Sequence, residues 1–349
     1  MSVTTLAAFL ASHGRAGDGV RAAAAQTVLA LAAGAIELRR AIDTQTSATG
    51  FARKQGSLNG DGDAQRGLDL HADEIFLAAA RQAPVAIYGS EELPSPVRLA
   101  QDAPLALAID PLDGSSNIDC NLSIGTIFSL LPATGVPGSD PAAAFLQPGS
   151  TQLGAGFFVY GPQLTLALTL GDGTHGFVYS PSAGTFIAAQ SDFTIVSETK
   201  EFAINASNYR HWDEPVRLYI DDCLTGAEGP RRKAFNMRWI ASLVAEAWRI
   251  LVRGGVFLYP GDGRSGYRRG RLRLVYEANP IAMLIEQAGG SATDTVGRIL
   301  EITPDNLHQR VPLVFGSAEE VSRIARYHTD PGGMADRSPL FGNRSLFRA

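Results

Sequence analysis

Apolar residues follow helical spacing near the N-terminus of the chain. Residues 4–13 and 20–42 are predicted helices, because apolar positions in the longer segment recur every three or four residues. Residues 44–67 are polar and rich in glycine, which is typical of a loop. A third helix is predicted after this loop and ends at Arg81. The N-terminal region therefore predicts a helical layer.

Short apolar runs then indicate a succession of strands. Leu105–Ile109 is a continuous apolar run, so it is predicted to be a buried strand that ends at Pro111. In residues 164–170, leucine alternates with threonine and alanine, which indicates a sheet covered on one face. Residues 132–150 are rich in proline, glycine and alanine and predict a surface loop. Further strands are predicted at 85–88, 124–131, 156–160, 176–179 and 185–188.

Strands and helices alternate in the second half of the chain. The polar segment 190–200 divides the halves, so we predict domains over 1–195 and 196–328, with 329–349 as a poorly ordered tail. The last helix, 317–327, is predicted to open with a capping box of Ser317 and Glu320. The other predicted elements are strands at 202–204, 256–259, 271–276 and 311–316 and helices at 215–223, 240–252 and 280–288.

Composition limits the class of protein. The chain has 349 residues, 45% of them hydrophobic, which is enough for two domains. A net charge of −5 argues against a general nucleic-acid surface. Only two cysteines occur, without metal-ligand spacing, as expected of a cytoplasmic protein. The apolar run 22–36 is shorter than the roughly 20 residues of a membrane span, so no membrane partner is expected.

Candidate chemistry follows the buried strand directly. Asp110 and Asp113 lie at its carboxyl end, where α/β sheets place their ligands. Two carboxylates this close repel each other unless a multivalent cation lies between them. Gly114, Ser115 and Ser116 then offer backbone N–H groups and hydroxyls that suit a phosphate. The sequence therefore predicts a metal-dependent phosphate site, and the alternative is a simple turn after a strand.

Three further glutamates also follow predicted strands. Glu91 and Glu92 come after the strand at 85–88, and Glu277 comes after the strand at 271–276. Together with the two aspartates, Glu91 and Glu277 offer an all-oxygen ligand set, which favours Mg²⁺ or Mn²⁺. Considered alone, an acidic pair such as Glu91 and Glu92 is more often an exposed, solvated feature.

These motifs resemble those of one enzyme family. The run Asp110-Pro-Leu-Asp-Gly-Ser-Ser-Asn117 resembles the signature of the lithium-sensitive, magnesium-dependent phosphatase superfamily, and its continuation to Asp119 resembles class 1 fructose-1,6-bisphosphatase. The runs 88–92 and 276–280 resemble two further motifs of that family. The resemblance spans about residues 20–327. It implies an α/β fold, more fully an α+β layered sugar-phosphatase fold with α-β-α-β-α layers and two subdomains.

The resemblance also implies a role for each site residue. Asp69 and Glu92 would orient or deprotonate the attacking water. Two or three Mg²⁺ ions per subunit, replaceable by Mn²⁺, would be bound by Glu91, Asp110, the Leu112 carbonyl, Asp113 and Glu277. The substrate would contact Asp113, Gly114, Ser115, Ser116, Asn205, Arg238, Tyr259 and Arg271. A homotetramer is implied, in which Arg238 reaches the site of a neighbouring subunit.

The implied activity is hydrolysis of the 1-phosphate of fructose 1,6-bisphosphate, in gluconeogenesis or the Calvin cycle. Two departures from the family pattern affect substrate preference. Arg271 stands where the family usually has lysine, and Trp239 stands where it commonly has tyrosine. One alternative substrate is sedoheptulose 1,7-bisphosphate, either alone or in addition to fructose 1,6-bisphosphate. Another is an inositol phosphate. A non-catalytic sugar-phosphate sensor is also an alternative, although all four carboxylate ligands are present.

Overall fold

The computed structural model describes residues 4–14, 18–44, 54–58, 64–133 and 140–330. The predicted tail lies outside the described residues from residue 331 onward, as does much of the predicted loop at 44–67.

Helices and strands alternate along the described residues. The helices are α1 Leu6–Gly14, α2 Gly19–Thr44, α3 Gly67–Arg81, α4 Glu214–Thr225, α5 Leu243–Arg253, α6 Asn279–Gln287 and α7 Ala318–Thr329. The strands are β1 Lys54–Leu58, β2 Ala64–Arg66, β3 Val85–Ser90, β4 Val97–Arg98, β5 Leu105–Asp113, β6 Ile124–Pro132, β7 Gly154–Tyr160, β8 Leu164–Thr169, β9 His175–Ser180, β10 Thr185–Gln190, β11 Glu201–Ala203, β12 Asn236–Met237, β13 Val256–Tyr259, β14 Leu272–Arg273, β15 Ser291–Thr293, β16 Arg310–Val311 and β17 Leu313–Gly316.

Two sheets form the frame of the molecule. The larger has eight strands in the order β10-β9-β8-β7-β6-β5-β3-β4, and the smaller has five in the order β12-β11-β13-β17-β15. In the larger sheet β3 runs parallel to β5, whereas β5 to β10 form an antiparallel meander. Because β3 and β5 are parallel neighbours, their carboxyl ends lie at the same edge of the sheet.

Helices cover both faces of each sheet. Side chains of α1, α2 and α3 pack on one face of the larger sheet. Helices α5 and α6 fill the space between the two sheets. Helices α4 and α7 pack on the outer face of the smaller sheet. The layers therefore run α-β-α-β-α, and the predicted fold class is confirmed.

Strand β8 corrects the prediction of a sheet covered on one face. Leu164, Leu166 and Leu168 pack toward the α1–α3 layer, as the alternation predicts. However, Ala167 faces α6 and Thr169 is fully buried, so the second face is covered as well. The small alternate residues mark close packing on a helix, not exposure to solvent.

The segment predicted as a surface loop at 132–150 is partly a core element. Residues Pro141–Phe145 form a short helical turn that buries Phe145. Its ring lies against Gly89, where an added Cβ would be 2.7 Å from the ring. Glycine at position 89 therefore allows this turn to pack directly on β3.

The predicted capping box at the start of α7 is absent. Ser317 is the N-cap, but its hydroxyl accepts a hydrogen bond from the Gly255 N–H (3.2 Å) instead of one from α7. The Glu320 carboxylate faces inward and binds the buried Arg231 guanidinium. A favourable spacing in sequence was thus overridden by tertiary contacts.

Helix α2 is longer than the sequence predicts. It spans 26 residues and, by length and composition alone, is long and apolar enough to cross a membrane. The expectation that the apolar run is too short for a membrane span is therefore wrong. Half of its most apolar window is buried inside the protein. Its apolar stripe, including Val28, Leu31 and Leu38, packs in the core beside α3. We therefore interpret α2 as a core helix.

Candidate active site

Strand β5 carries its two aspartates inside the strand. It continues through Pro111 to Asp113, so the prediction that Pro111 ends it is wrong. The pairing with β6 shifts register between Asp110 and Asp113, and this irregularity accommodates a residue that lacks an N–H. The Leu112 N–H donates to Asp110 Oδ1 (3.0 Å). The bulge therefore brings Asp110 and Asp113 close together at the carboxyl end of a central strand.

Asp113 meets the start of helix α5 from the other half of the chain. Its Oδ2 accepts a hydrogen bond from the Val244 N–H (3.1 Å), next to the N-cap Ser242. Unpaired N–H groups at a helix N-terminus favour a negative charge. This contact fixes one carboxylate oxygen of Asp113.

Glu277 reaches the same place from a helical turn. The predicted strand at 271–276 is wrong beyond Arg273, because residues Leu274–Ala278 form a π-helical turn that leads into α6. Glu277 Oε2 accepts a hydrogen bond from the Arg273 N–H (2.5 Å). Oxygen atoms of Asp110, Asp113 and Glu277 lie within 4.8 Å of one another. We call these three residues the carboxylate triad.

The carboxylate triad is electrostatically unfavourable without a cation. All three residues are at most 7% exposed. Burial, followed by repulsion from Glu91 and Asp113, raises the pKa of Asp110 well above its ordinary range. Burial likewise raises the pKa values of Asp113 and Glu277 to about 7. A buried all-oxygen donor set whose carboxylates repel one another fits a hard divalent cation.

Two arginines that the sequence analysis did not single out adjoin the triad. Arg273 is 5% exposed, and its Nη1 lies 2.5 Å from Glu91 Oε1. Arg273 and Arg310 face each other across the β14–β16 pair, and both lower the pKa of Glu277 in opposition to its burial. Arg271 lies two residues before Arg273 in the sequence, and this spacing is the local signal that could have indicated Arg273.

A cleft of about 600 Å³ joins the triad to most of the predicted site residues. Asp69 lies in the first turn of α3 and is 2% exposed, and Glu92 follows β3. The predicted residues that line the cleft are Asp69, Glu91, Glu92, Asp110, Leu112, Asp113, Gly114, Ser115, Ser116, Asn205, Tyr259, Arg271 and Glu277.

A smaller pocket of about 150 Å³ adjoins the cleft and shares Asn205, Tyr259 and Arg271 with it. We call it the distal pocket. On the cleft wall Trp239 stacks on Phe257 with ring centroids 5.9 Å apart, so the departure from tyrosine at this position still places an aromatic ring at the cleft.

Arg238 is the predicted site residue that does not line the cleft within one chain. Its side chain is about half exposed, and its Nε lies 3.6 Å from Glu201 Oε1. The backbone N–H of Arg238 donates to the Phe202 carbonyl, which fixes the strand but leaves the guanidinium at the surface.

The raised pKa values predict an unusual dependence of stability on pH. Asp113 and Glu277 have folded pKa values near 7, against ordinary values of 3.8 and 4.5, so in the absence of metal the folded state holds protons that the unfolded state has lost. Their contribution to stability is therefore lost as pH rises from about 4 to about 7.

Thermal unfolding in a chelator across this pH range would measure the effect. Relative to the Asp113→Asn variant, the wild-type unfolding temperature should fall as pH rises, and Mg²⁺ should reverse the fall at the upper end. Parallel curves for the two proteins would contradict the pKa assignment.

Comparison with known proteins places these features in a family. A model described as "Fructose-1-6-bisphosphatase, N-terminal domain" matches residues 5–191, and "Fructose-1-6-bisphosphatase, C-terminal domain" matches residues 195–329. The chain belongs to the fructose-1,6-bisphosphatase family. Enzymes of this family are phosphatases that depend on metal, and the carboxylate triad is a cluster that could bind one.

Individual fructose-1,6-bisphosphatases are similar to this chain over 93% to 100% of its length. A protein of Rhizobium meliloti named fructose-1,6-bisphosphatase class 1 is 58% identical over 349 residues, which is 100% of both chains. One of Methylorubrum extorquens with the same name is 54% identical over 325 residues, covering 93% of this chain and 92% of its own. The family resemblance predicted from the motifs is thus confirmed.

Solved fructose-1,6-bisphosphatases share the fold. The Leishmania major enzyme in its holo form superposes with a TM-score of 0.86 at 31% identity, covering 94% of this chain and 100% of that one. Its apo form gives a TM-score of 0.82 at 30% identity, covering 94% and 100%.

Proposed function

We propose that the chain hydrolyses the 1-phosphate of fructose 1,6-bisphosphate, giving fructose 6-phosphate and phosphate. The observation that carries this proposal is the continuity of two sites. The carboxylate triad and the Gly114–Ser116 turn lie in the same cleft as Asn205, Tyr259 and Arg271, which also line the distal pocket. A substrate with a phosphate at each end of a sugar fits this arrangement, and relatives that are 58% identical to this chain carry the name of that activity.

The chain's own residues would hold the reacting phosphate and the attacking water. Gly114 has φ of +77°, which turns the backbone so that the N–H groups and hydroxyls of Ser115 and Ser116 can face the 1-phosphate. Asp69 and Glu92 would orient the water and accept its proton as its oxygen attacks phosphorus in line. The bond from phosphorus to the sugar oxygen breaks in the same displacement.

We propose Mg²⁺ as the cation, two or three per subunit, with Mn²⁺ able to substitute. Glu91, Asp110, Asp113, Glu277 and the Leu112 carbonyl would hold it. A cation held there would supply positive charge for the phosphoryl and leaving oxygens and would make a bound water a better nucleophile. Uncatalysed hydrolysis of a phosphate monoester is extremely slow, so charge neutralisation of this kind is required.

We further infer a homotetramer that acts in the cytoplasm, in gluconeogenesis or the Calvin cycle. The exposed Arg238, which does not line its own cleft, supports a role at a neighbouring subunit's site. Few cysteines and an α2 that packs in the core agree with that compartment. We also propose that domain 1–195 supplies most of the metal and 1-phosphate site, and that 196–328 supplies the distal pocket.

Phosphate release from fructose 1,6-bisphosphate, with Mg²⁺ and with a chelator, tests the proposal. We expect release only with Mg²⁺, and little release from fructose 6-phosphate because that compound lacks the 1-phosphate. The same assay on sedoheptulose 1,7-bisphosphate and inositol monophosphate separates the alternative substrates. Binding of these compounds without any Mg²⁺-dependent release would instead favour the non-catalytic sensor.

A further inference from the structure

The loop between β13 and β14, residues 260–271, forms one wall of the distal pocket through Arg264, Tyr267 and Arg271. Arg264 and Tyr267 belong to none of the motifs that indicate the family. Under the function proposed above, this loop faces the second phosphate of the substrate.

Backbone hydrogen bonds fold this loop onto itself. The Asp262 N–H donates to the Tyr267 carbonyl (3.1 Å), and the Tyr267 N–H donates to the Arg264 carbonyl (3.1 Å). Gly270 closes the loop with φ of +74°, and a Cβ there would lie 2.5 Å from the Val311 carbonyl oxygen. The position of Tyr267 is therefore fixed by the loop backbone.

Two guanidinium groups lie against the Tyr267 ring. The Cζ of Arg264 is 4.3 Å from the ring centroid, and the Cζ of Arg271 is 4.9 Å from it. Arg271 Nη1 also donates a hydrogen bond to the Tyr267 hydroxyl (3.2 Å). A guanidinium on an aromatic face is attracted by the ring quadrupole, so the ring restrains both arginines.

The two arginines differ in what balances their charge. The Asp262 carboxylate binds Arg264, whose Nε lies 3.0 Å from both carboxylate oxygens, and this pairing lowers the pKa of Asp262. In contrast, no carboxylate among the described residues pairs with Arg271. Arg264 therefore anchors the ring, whereas Arg271 keeps a net positive charge and most of its five N–H donors for a ligand.

We propose that Tyr267 is a positioning residue for the distal phosphate. Anchored by Arg264, it holds the Arg271 guanidinium toward the distal pocket, where a bidentate contact with a phosphate becomes possible. A lysine would present a compact charge that requires no such orientation, whereas a planar guanidinium does. Tyr267 thus supports substrate affinity without touching the reacting phosphate.

Two substitutions separate the hydroxyl from the ring. Tyr267→Phe keeps the ring and should raise the KM for fructose 1,6-bisphosphate roughly fivefold, because one hydrogen bond to Arg271 is lost. Tyr267→Leu removes ring and hydroxyl and should raise KM on the order of twentyfold. For both variants kcat should stay within about twofold of wild type, because the interaction is equal in ground and transition states.

Two compounds that each carry one of the two phosphates show at which phosphate the loss of affinity arises. Fructose 6-phosphate carries only the distal phosphate, so its inhibition constant should rise in parallel with KM. Fructose 1-phosphate lacks the distal phosphate, so its kcat/KM should be unchanged. A general disturbance of the site would weaken both. Tyr179→Phe is the matched control, because Tyr179 packs against Phe186 in the larger sheet, away from the cleft, and should change none of these values.

A double-mutant cycle with Arg271→Lys tests the coupling between the two residues. Because a lysine needs no ring to orient it, Tyr267→Leu should have little further effect in the Arg271→Lys background. Additive losses, or an equal loss on fructose 1-phosphate, would overturn the role of Tyr267. If Tyr267→Leu does not fold, the Phe variant carries the same comparison.

A wild-type protein that releases no phosphate from fructose 1,6-bisphosphate contradicts the proposed function. In that event direct binding of fructose 6-phosphate to wild type and to Tyr267→Phe still tests the positioning role. Equal affinities would overturn it.

Discussion

Asp110→Asn and Asp113→Asn should each abolish Mg²⁺-dependent turnover and leave the protein folded. Each substitution removes one charged oxygen from a buried triad whose oxygens lie within 4.8 Å of one another. A bound metal is worth several kcal/mol of transition-state stabilisation. Loss of about 4 kcal/mol corresponds to roughly a thousandfold lower kcat. Steady-state phosphate release across a Mg²⁺ titration measures it.

The same substitutions should stabilise the metal-free protein. Asparagine has nearly the volume of aspartate but no charge, so it removes both the cost of burying a charge and the repulsion, which together raise the pKa of Asp110. In a chelator at neutral pH, we expect the unfolding temperature to rise above that of wild type. Loss of activity together with a gain of stability would indicate a metal-binding carboxylate whose burial destabilises the metal-free protein.

Asp172→Asn is the matched control, since Asp172 is an exposed carboxylate in the turn between β8 and β9. It changes the net charge by the same amount and should leave both activity and stability near wild type. Near-wild-type kcat in folded Asp110→Asn would show that the triad is not the metal site. A lower unfolding temperature in chelator would contradict the repulsion argument.

Arg231→Met should cost about 3–5 kcal/mol of the free energy of unfolding. Arg231 Nη2 lies 2.5 and 2.7 Å from the two Glu320 oxygens, and both side chains are at most 3% exposed. The Tyr219 hydroxyl also donates to Glu320 (3.0 Å). Removing the guanidinium leaves a buried carboxylate without its principal counter-charge. Urea denaturation of wild type and variant measures the difference.

The double variant Arg231→Met, Glu320→Leu should recover most of this loss, because an apolar pair leaves no buried charge. Arg298→Met is the control for an exposed pair. Arg298 contacts Glu286 at 2.6 Å but is about half exposed, so its loss should cost less than about 1 kcal/mol. Equal destabilisation by Arg231→Met and Arg298→Met would show that burial does not determine how much these ion pairs contribute to the free energy of unfolding. The Arg231 pair joins the segment after α4 to α7 and lines neither the cleft nor the distal pocket, so kcat should not change.

Local sequence patterns predicted the layered fold because continuous apolar runs and helical spacing coincide with the core. They failed where tertiary contacts decide the backbone. Pro111 ends a strand by local rules, yet the register shift opposite β6 accommodates it. Glu277 was placed after a strand, whereas the chain turns helical at Leu274 so that the residue can point inward. Glu320 binds Arg231 and not its own helix N-terminus.

The candidate site was predictable to the extent that its residues lie in short motifs at strand ends. Asp110, Asp113 and Glu91 follow that rule and reach one cleft. Arg310 is close in sequence to no other site residue, and it reaches the cleft only because β16 pairs with β14. Charges that balance an acidic cluster can come from any element, so spacing alone does not reveal them.

Trp239 gives this protein an optical reporter at the cleft. Indole emission depends on the polarity and charge of its surroundings, and this indole is stacked on Phe257 at the cleft wall. Of the other two tryptophans, Trp212 lines the distal pocket and Trp248 lines neither the cleft nor that pocket. Occupancy of the cleft can therefore be followed by intrinsic fluorescence without labels or turnover, including in variants that no longer catalyse the reaction.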